Sequence, residues 1–303
     1  MLDQTAFARP ALEESLGRTA AAVDALFAVW LPLPDDPSRR LYEAMRYAAI
    51  GGGKRLRPLL VMASGALFEV PEARLLRAAL AVECIHVHSL IHDDLPCMDD
   101  DDLRRGRPTV HVAFGEATAV LAGDALLALA FELLAGPETH PRGEVRGELA
   151  VGLARAAGAA GMAGGQMLDL AAERVKLTLD AVTRLQRLKT GALIGWSAEA
   201  GATLGEAGPV ARDRLRAYAQ CLGLAFQIAD DLLDAEGDES RAGKRLRKDC
   251  ERGKQTFVSL LGAERARRRA LELADEACNH LREFGASADL LRSIARFAVE
   301  RDR

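Results

Sequence analysis

Apolar residues recur every three or four positions over long stretches of this chain, as in ALEESLGRTAAAVDALFAVW, EARLLRAALAVECIHVHSLIH, ATAVLAGDALLALAFELLA and DRLRAYAQCLGLAFQIADDLL. That period marks helices that bury one stripe, and the apolar/polar alternation of half-buried strands is scarce. Breakers cluster at LPLPDDPS, GGGKRLRP, AGPETHPRG and EAGPV, which read as connections between helices. No Ser/Pro-rich linker interrupts the pattern, so residues 1–303 read as a single all-α domain. In the Ala/Gly-rich stretch ELAVGLARAAGAAGMAGGQMLDL, read as one helix, small residues let neighbouring helices approach closely beside a cavity.

Composition narrows the class. A formal net charge of −4 argues against nucleic acid as a general partner. The five cysteines lie far apart with no CxxC pair, which points to neither a zinc site nor a disulfide framework. No basic start followed by an apolar stretch marks a signal peptide, and no run of about 18 apolar residues marks a membrane span. A cytoplasmic location is the expectation.

Two aspartate clusters interrupt the apolar stripes. DDLPCMD carries Asp93, Asp94 and Asp99; DDLLD carries Asp230, Asp231 and Asp234. Such clusters repel themselves unless cations neutralise them, and hard oxygen donors suit magnesium held together with a substrate's phosphates. In a helix Gln227, Asp230, Asp231 and Asp234 fall on one stripe. The first cluster is less regular: ideal helix would place Asp99 roughly 120° from Asp93. Pro96 should break the helix and bend Asp99 back toward Asp93 and Asp94. An exposed acidic turn is the plain alternative for either cluster alone, but carboxylates set in apolar stripes need a compensating partner. Neither cluster has the glycine and alternating oxygen ligands of a calcium loop.

Cations supply the other half of the pattern. GGGKRLRP joins flexible glycine backbone to Lys54 and Arg57, a plausible phosphate seat that lacks the Walker order. His86 lies seven residues before Asp93, on nearly the same helical stripe, and can donate to the same anion. Arg104 and Arg105 follow in LRRGRP, Lys189 and Thr190 in RLKTGAL, and Lys244 and Lys254 after DDLLD. Acids and bases in this order suggest metals for one diphosphate and direct cations for a second.

These motifs, together with FGEATAVLAGDALL, GGQMLDL and LKTGALI, resemble in order those of the trans-isoprenyl diphosphate synthases, in particular the bacterial short-chain farnesyl and geranylgeranyl type. The resemblance runs from about residue 40 to 260, and the spacing DDxxxxD matches that subgroup. It implies the isoprenoid synthase fold, about ten or more helices around a central cavity, in a homodimer. It also implies a prenyltransferase that condenses isopentenyl diphosphate with an allylic diphosphate (dimethylallyl or geranyl) to give farnesyl diphosphate. The cofactor implied is magnesium, three ions per site, with manganese as a substitute. Lys54, Arg57, His86 and Arg105 then take isopentenyl diphosphate. Asp93, Asp94, Asp99 and Asp230, with Asp231 and Asp234 in the same clusters, hold metal on the allylic diphosphate. Arg104, Lys189, Thr190, Gln227, Lys244 and Lys254 surround it, and Gln166 and Asp169 lie beneath. The loop AGKRLRKDCERGKQT departs from the family's LGKTAGKD pattern, and Lys254 is its firmest match.

Chain length would be set one to two turns before Asp93, at Ser89 and His88, where related farnesyl synthases carry an aromatic such as Tyr. An imidazole there favours the fifteen-carbon product, with the twenty-carbon product as the alternative. A class I terpene cyclase would not need the basic pocket, and an inert synthase subunit would typically lose one aspartate cluster.

Overall fold

The computed structural model of the chain describes residues 4–172, 175–236 and 254–300. The expected helices form: α1 (Gln4–Trp30), α2 (Arg39–Ala49), α3 (Leu56–Ala66) and α4 (Glu72–Asp93) lead to a short hairpin, β1 (Leu103–Arg104) with β2 (Arg107–Pro108). There follow α5 (Val110–Phe114), α6 (Glu116–Ala135), α7 (Gly143–Ala157), α8 (Met162–Ala172) and α9 (Leu179–Gln186). A π-turn over Arg187–Gly191 joins α9 to α10 (Ala192–Leu204), and the long α11 (Pro209–Glu236) comes next. The chain closes with α12 (Phe257–Leu261), α13 (Ala263–His280), a 3₁₀ segment (Arg282–Ala288) and α14 (Asp289–Glu300). The fold is all-α apart from that hairpin, among the described residues.

Helix ends follow local chemistry. Thr256 and Ser259 cap α12 reciprocally, each side chain accepting from the other's backbone N–H. Gly115 and Gly262, both at positive φ, let consecutive helices turn sharply into one another. The Ala/Gly-rich stretch is not one helix. It breaks between α7 and α8, where Gly158 accepts from the N–H groups of Gly161 and Gly164, because glycine gains little from continuing the helix.

Its small residues do bring helices together. A side chain on Gly165 of α8 would collide with the Lys189 backbone, and one on Gly152 of α7 would press on the Trp196 indole. Trp196 in turn donates Nε1–H to Leu149 O at 3.1 Å.

The largest apolar cluster surrounds α4 and α6, with Leu80, Ile85, Ile91, Leu126, Leu133 and Leu134 fully enclosed. Contrary to the expectation of no candidate span, both helices are long and apolar enough to cross a membrane by length and composition. Here they pack against each other as core helices. A second cluster joins α3, α10, α11 and α14, where buried Tyr218 donates to Leu291 O at 2.8 Å. The aspartate end of α4 lies in the first cluster, and that of α11 in a third, where Ala225 and Ile228 meet Phe257, Ala270 and Leu273.

Candidate active site at the ends of α4 and α11

The last helical residue of α4 is Asp93, and Pro96 stops the ladder as expected. Leu95 N–H reaches His92 O at 3.2 Å, and Asp99 N–H returns to Asp93 O at 2.8 Å. That second bond folds the chain back and sets Asp99 beside Asp93. Asp100 takes φ +52°, Asp101 N–H reaches Asp94 O at 3.3 Å, and the hairpin turns at Arg105 and Gly106, both at positive φ. The turn presents Arg104 to Asp94, whose carboxylate is only 2% exposed. Arg104 grips it in a fork, Nε to Oδ2 at 2.7 Å and Nη2 to Oδ1 at 2.6 Å. Burial raises the Asp93 carboxyl to about 6, with Asp99 and Asp94 adding to the rise and Lys189 and Arg104 opposing it.

On α11 the stripe is divided. Asp230 is half-buried, and its charge supports the Arg57 guanidinium. Asp231 is 4% exposed, with Oδ1 accepting from Gln227 Nε2 at 3.0 Å and Oδ2 from Phe257 N–H at 2.8 Å. Asp231, expected as a metal ligand, lies on the edge of the stripe that faces α12 and ties α11 to the start of that helix. Asp234 lies one turn beyond Asp230 on the same helix. Gln227 also accepts from Thr190 Oγ1 at 3.2 Å.

Between the clusters stands the π-turn Arg187–Gly191, a form of helix that recurs at functional sites. It is clasped between α8, at Gly165, and α11, where a Cβ on Gly223 would lie 3.2 Å from Gly191 Cα. Lys189 reaches Asp169 Oδ2 at 2.6 Å, and Lys254 reaches the same oxygen at 3.1 Å. Burial would raise the Asp169 carboxyl, but the two ammonium groups hold it below its ordinary value. Burial would likewise lower Lys189, but Asp169, Asp93 and Asp99 keep it fully charged.

The cations converge beside Asp94. Side chains on Gly52 or Gly53 would strike the Arg105 guanidinium, so the bare backbone of GGGKRLRP is the bed on which Arg105 lies. Arg55, which the motif alone does not distinguish from its neighbours, is the anchor. At φ +49° and 3% exposure it bonds Glu83 Oε1 and Asp24 Oδ1, each at 2.6 Å, and also Ala49 O. Burial lowers Arg57, while Glu83 and Asp230 raise it. Burial, then Arg57, Arg105, Arg104 and Arg55, push His86 well below the usual imidazole value, so it is neutral with one N–H to give. Lys54 is exposed, its ammonium 5.7 Å from the Phe297 ring of α14.

Two buried donors fit an anionic ligand: Arg57 Nε and Gln166 Nε2 have no hydrogen-bond partner. The carboxylates of Asp93, Asp94, Asp99, Asp230 and Asp234 are hard oxygen donors of the kind that magnesium or manganese takes along with phosphate. Lys244 lies outside the described residues.

His88 and Ser89 turn away from a simple floor. His88 Nδ1 bonds Gly123 O at 3.0 Å, and Ser89 Oγ–H bonds His86 O at 2.8 Å. Burial and then His92 lower the His88 imidazole. An apolar cleft beside Arg104 and Arg105 is walled instead by Tyr47, Ile50, Val87, Ile91 and Val110.

An all-helical fold with acidic clusters on two helices beside a cationic pocket defines the isoprenoid synthase class. The chain belongs to the polyprenyl synthetase family, whose model matches residues 38–292, and it is a transferase. It is 48% identical to the farnesyl diphosphate synthase of Escherichia coli K12, over 90% of this chain and 92% of that protein. It is 44% identical to geranylgeranyl pyrophosphate synthase 3 of Arabidopsis thaliana, over 89% of this chain and 76% of that one. A crystal structure of an FPP/GFPP synthase from Zymomonas mobilis superposes with a TM-score of 0.88 at 57% identity, covering 95% of this chain and 98% of that one.

Proposed function

We propose that this transferase makes farnesyl diphosphate, by condensing isopentenyl diphosphate with dimethylallyl and then geranyl diphosphate. The observation that carries the reading is identity of 48% and 42% to the farnesyl diphosphate synthases of E. coli and Bacillus subtilis, each over 90% of the chain. Lys54, Arg57, His86 and Arg105 seat isopentenyl diphosphate, with neutral His86 donating its N–H. Arg104, Lys189, Thr190, Lys244 and Lys254 surround the allylic diphosphate, Gln227 positions Thr190, and Gln166 and Asp169 underlie them. Asp93, Asp94, Asp99, Asp230 and Asp234 hold magnesium, three ions per site, with manganese as a substitute.

Bound metal supplies positive charge that offsets the negative charge building on the departing diphosphate. Arg104, Lys189 and Lys254 add preorganised charge to the same oxygens, so the allylic carbon–oxygen bond can ionise. The isopentenyl double bond then attacks the allyl cation, and a proton lost to the departed diphosphate restores a double bond in a product five carbons longer. No side-chain nucleophile is needed; the apolar helices exclude water from the cation. The synthase is one domain over residues 1–303, cytoplasmic, without nucleic-acid partners and dimeric. Exposed Val112, Val120 and Leu121 on α5 and α6 supply an apolar face for a second copy.

A twenty-carbon product is the second reading, favoured by one observation: His88 is bonded aside to Gly123 O. Purified protein with magnesium, labelled isopentenyl diphosphate and allylic starters should accumulate the fifteen-carbon diphosphate. A twenty-carbon end product would select the second reading, and no elongation would overturn both.

A further inference from the structure

We propose that His88, His92 and Asp124 form a site for one transition ion of the zinc class, separate from the aspartates that face the diphosphates. His88 and His92 are four residues apart on α4, so their rings stand one above the other, centroids 4.5 Å apart. Asp124 faces them from α6. One nitrogen of each ring and one Asp124 carboxylate oxygen all lie within 4.8 Å of one another.

The close approach has a cause: any side chain on Gly123 would collide with the His92 ring. His88 keeps Nδ1 on Gly123 O at 3.0 Å, which orients the ring and leaves Nε2 as the lone-pair nitrogen, the arrangement that fixes metal-binding imidazoles. His92 Nε2–H donates to Val120 O at 3.1 Å and stands 3.9 Å from Asp124 Oδ1, so binding an ion exchanges that hydrogen bond for a metal bond, with the ring proton moving to Nδ1.

Donor chemistry separates this cluster from the others. Two imidazoles with one carboxylate suit zinc, nickel or copper, whereas the carboxylate clusters suit magnesium. Tetrahedral zinc with ligand bonds of about 2.0–2.1 Å places its donors about 3.4 Å apart, so the three side chains would close in from their present span. Asp124, with 59% of its side chain exposed, opens the site to solvent and leaves a position for water. Because His92 directly precedes Asp93, a bound ion would staple the turn that presents Asp93 to α6. The proposal does not depend on the product assigned above.

The test uses the full-length protein, stripped with chelator and then saturated with magnesium. Zinc is titrated against a chromophoric chelator, and cobalt(II) is added to a second sample for its visible spectrum. One equivalent should bind, with the absorption of nitrogen-ligated, four- or five-coordinate cobalt. His88→Phe and Asp124→Asn should each weaken zinc binding by about tenfold or more, while Asp93→Asn should retain the equivalent. Unchanged affinity in both variants would overturn the proposal, as would loss of the equivalent in Asp93→Asn. The cobalt spectrum of the unaltered protein decides the matter if a variant does not fold: a six-coordinate, all-oxygen spectrum also overturns it.

Discussion

On the cation side of the site the charges are built in: Arg55 is fixed by Glu83 and Asp24 beneath the pocket, and Arg105 rests on Gly52 and Gly53. On the carboxylate side the charges are committed unevenly. Asp94 is gripped by Arg104, Asp231 by Gln227 and Phe257, and Asp169 by two lysines, while burial leaves Asp93 with its carboxyl near 6. One half is preorganised by buried counter-charge, and the other carries an electrostatic strain at Asp93. Residues identical in type therefore differ in surroundings: Asp94, Asp169 and Asp231 are held by protein partners, and Asp93 is charged only at a cost.

The largest expected effect separates two neighbours on α11. Asp230→Ala should lower turnover by about a thousandfold or more, since it removes a metal donor. Asp231→Asn should chiefly lower the melting temperature, through its bonds to Gln227 and Phe257. Steady-state rates and thermal melts of both variants check this, and equal rate losses would merge the roles. Chelation should abolish turnover in the unaltered enzyme.

Next comes the buried anchor. Glu83→Gln leaves Arg55 without one of its buried counter-ions, at a cost of about 3–5 kcal/mol by denaturant unfolding. A change below about 1 kcal/mol would show that Arg55 is anchored elsewhere.

A smaller effect of opposite sign belongs to Asp93. Its folded-state value of about 6 lies above the ordinary 3.8, so the folded chain binds the proton more tightly. The group's contribution to stability is fully present below about 3.8 and is lost as pH rises through about 6. In chelator at pH 7, Asp93→Asn should therefore be more stable than the parent by about 1–2 kcal/mol, and the gap should narrow to about half at pH 5 and close toward 3.8. Melts across that range would show it; a parent more stable than the variant at pH 7 would contradict it. The smallest change concerns the product: if His88 limits the chain, His88→Ala lengthens products without loss of total turnover, which product sizing reads directly.

The helical period made α4, α6 and α11 legible in the sequence, and Pro96 made the return of Asp99 legible as well. Arg55 was not, because its partners lie 31 and 28 residues away, and only the fold brings Asp24 and Glu83 to it. The bonds of Asp231 to Gln227 and Phe257 were only half legible, because a helical stripe shows which residues share a face but not what packs on its edge. The π-turn at Lys189 has no periodic signature, since it depends on Gly165 and Gly223 giving way on either side. The apolar runs of α4 and α6 reflect two core helices packed on each other, which composition alone does not distinguish from a membrane span.

The central claim is that the preorganised cations serve isopentenyl diphosphate and the strained carboxylates serve the allylic substrate. The direct measurement is the pair of Michaelis constants of Arg57→Ala, each determined with the other substrate saturating. The account predicts a rise of about tenfold or more for isopentenyl diphosphate and a much smaller one for geranyl diphosphate. A larger rise for geranyl diphosphate would contradict it and exchange the two sites.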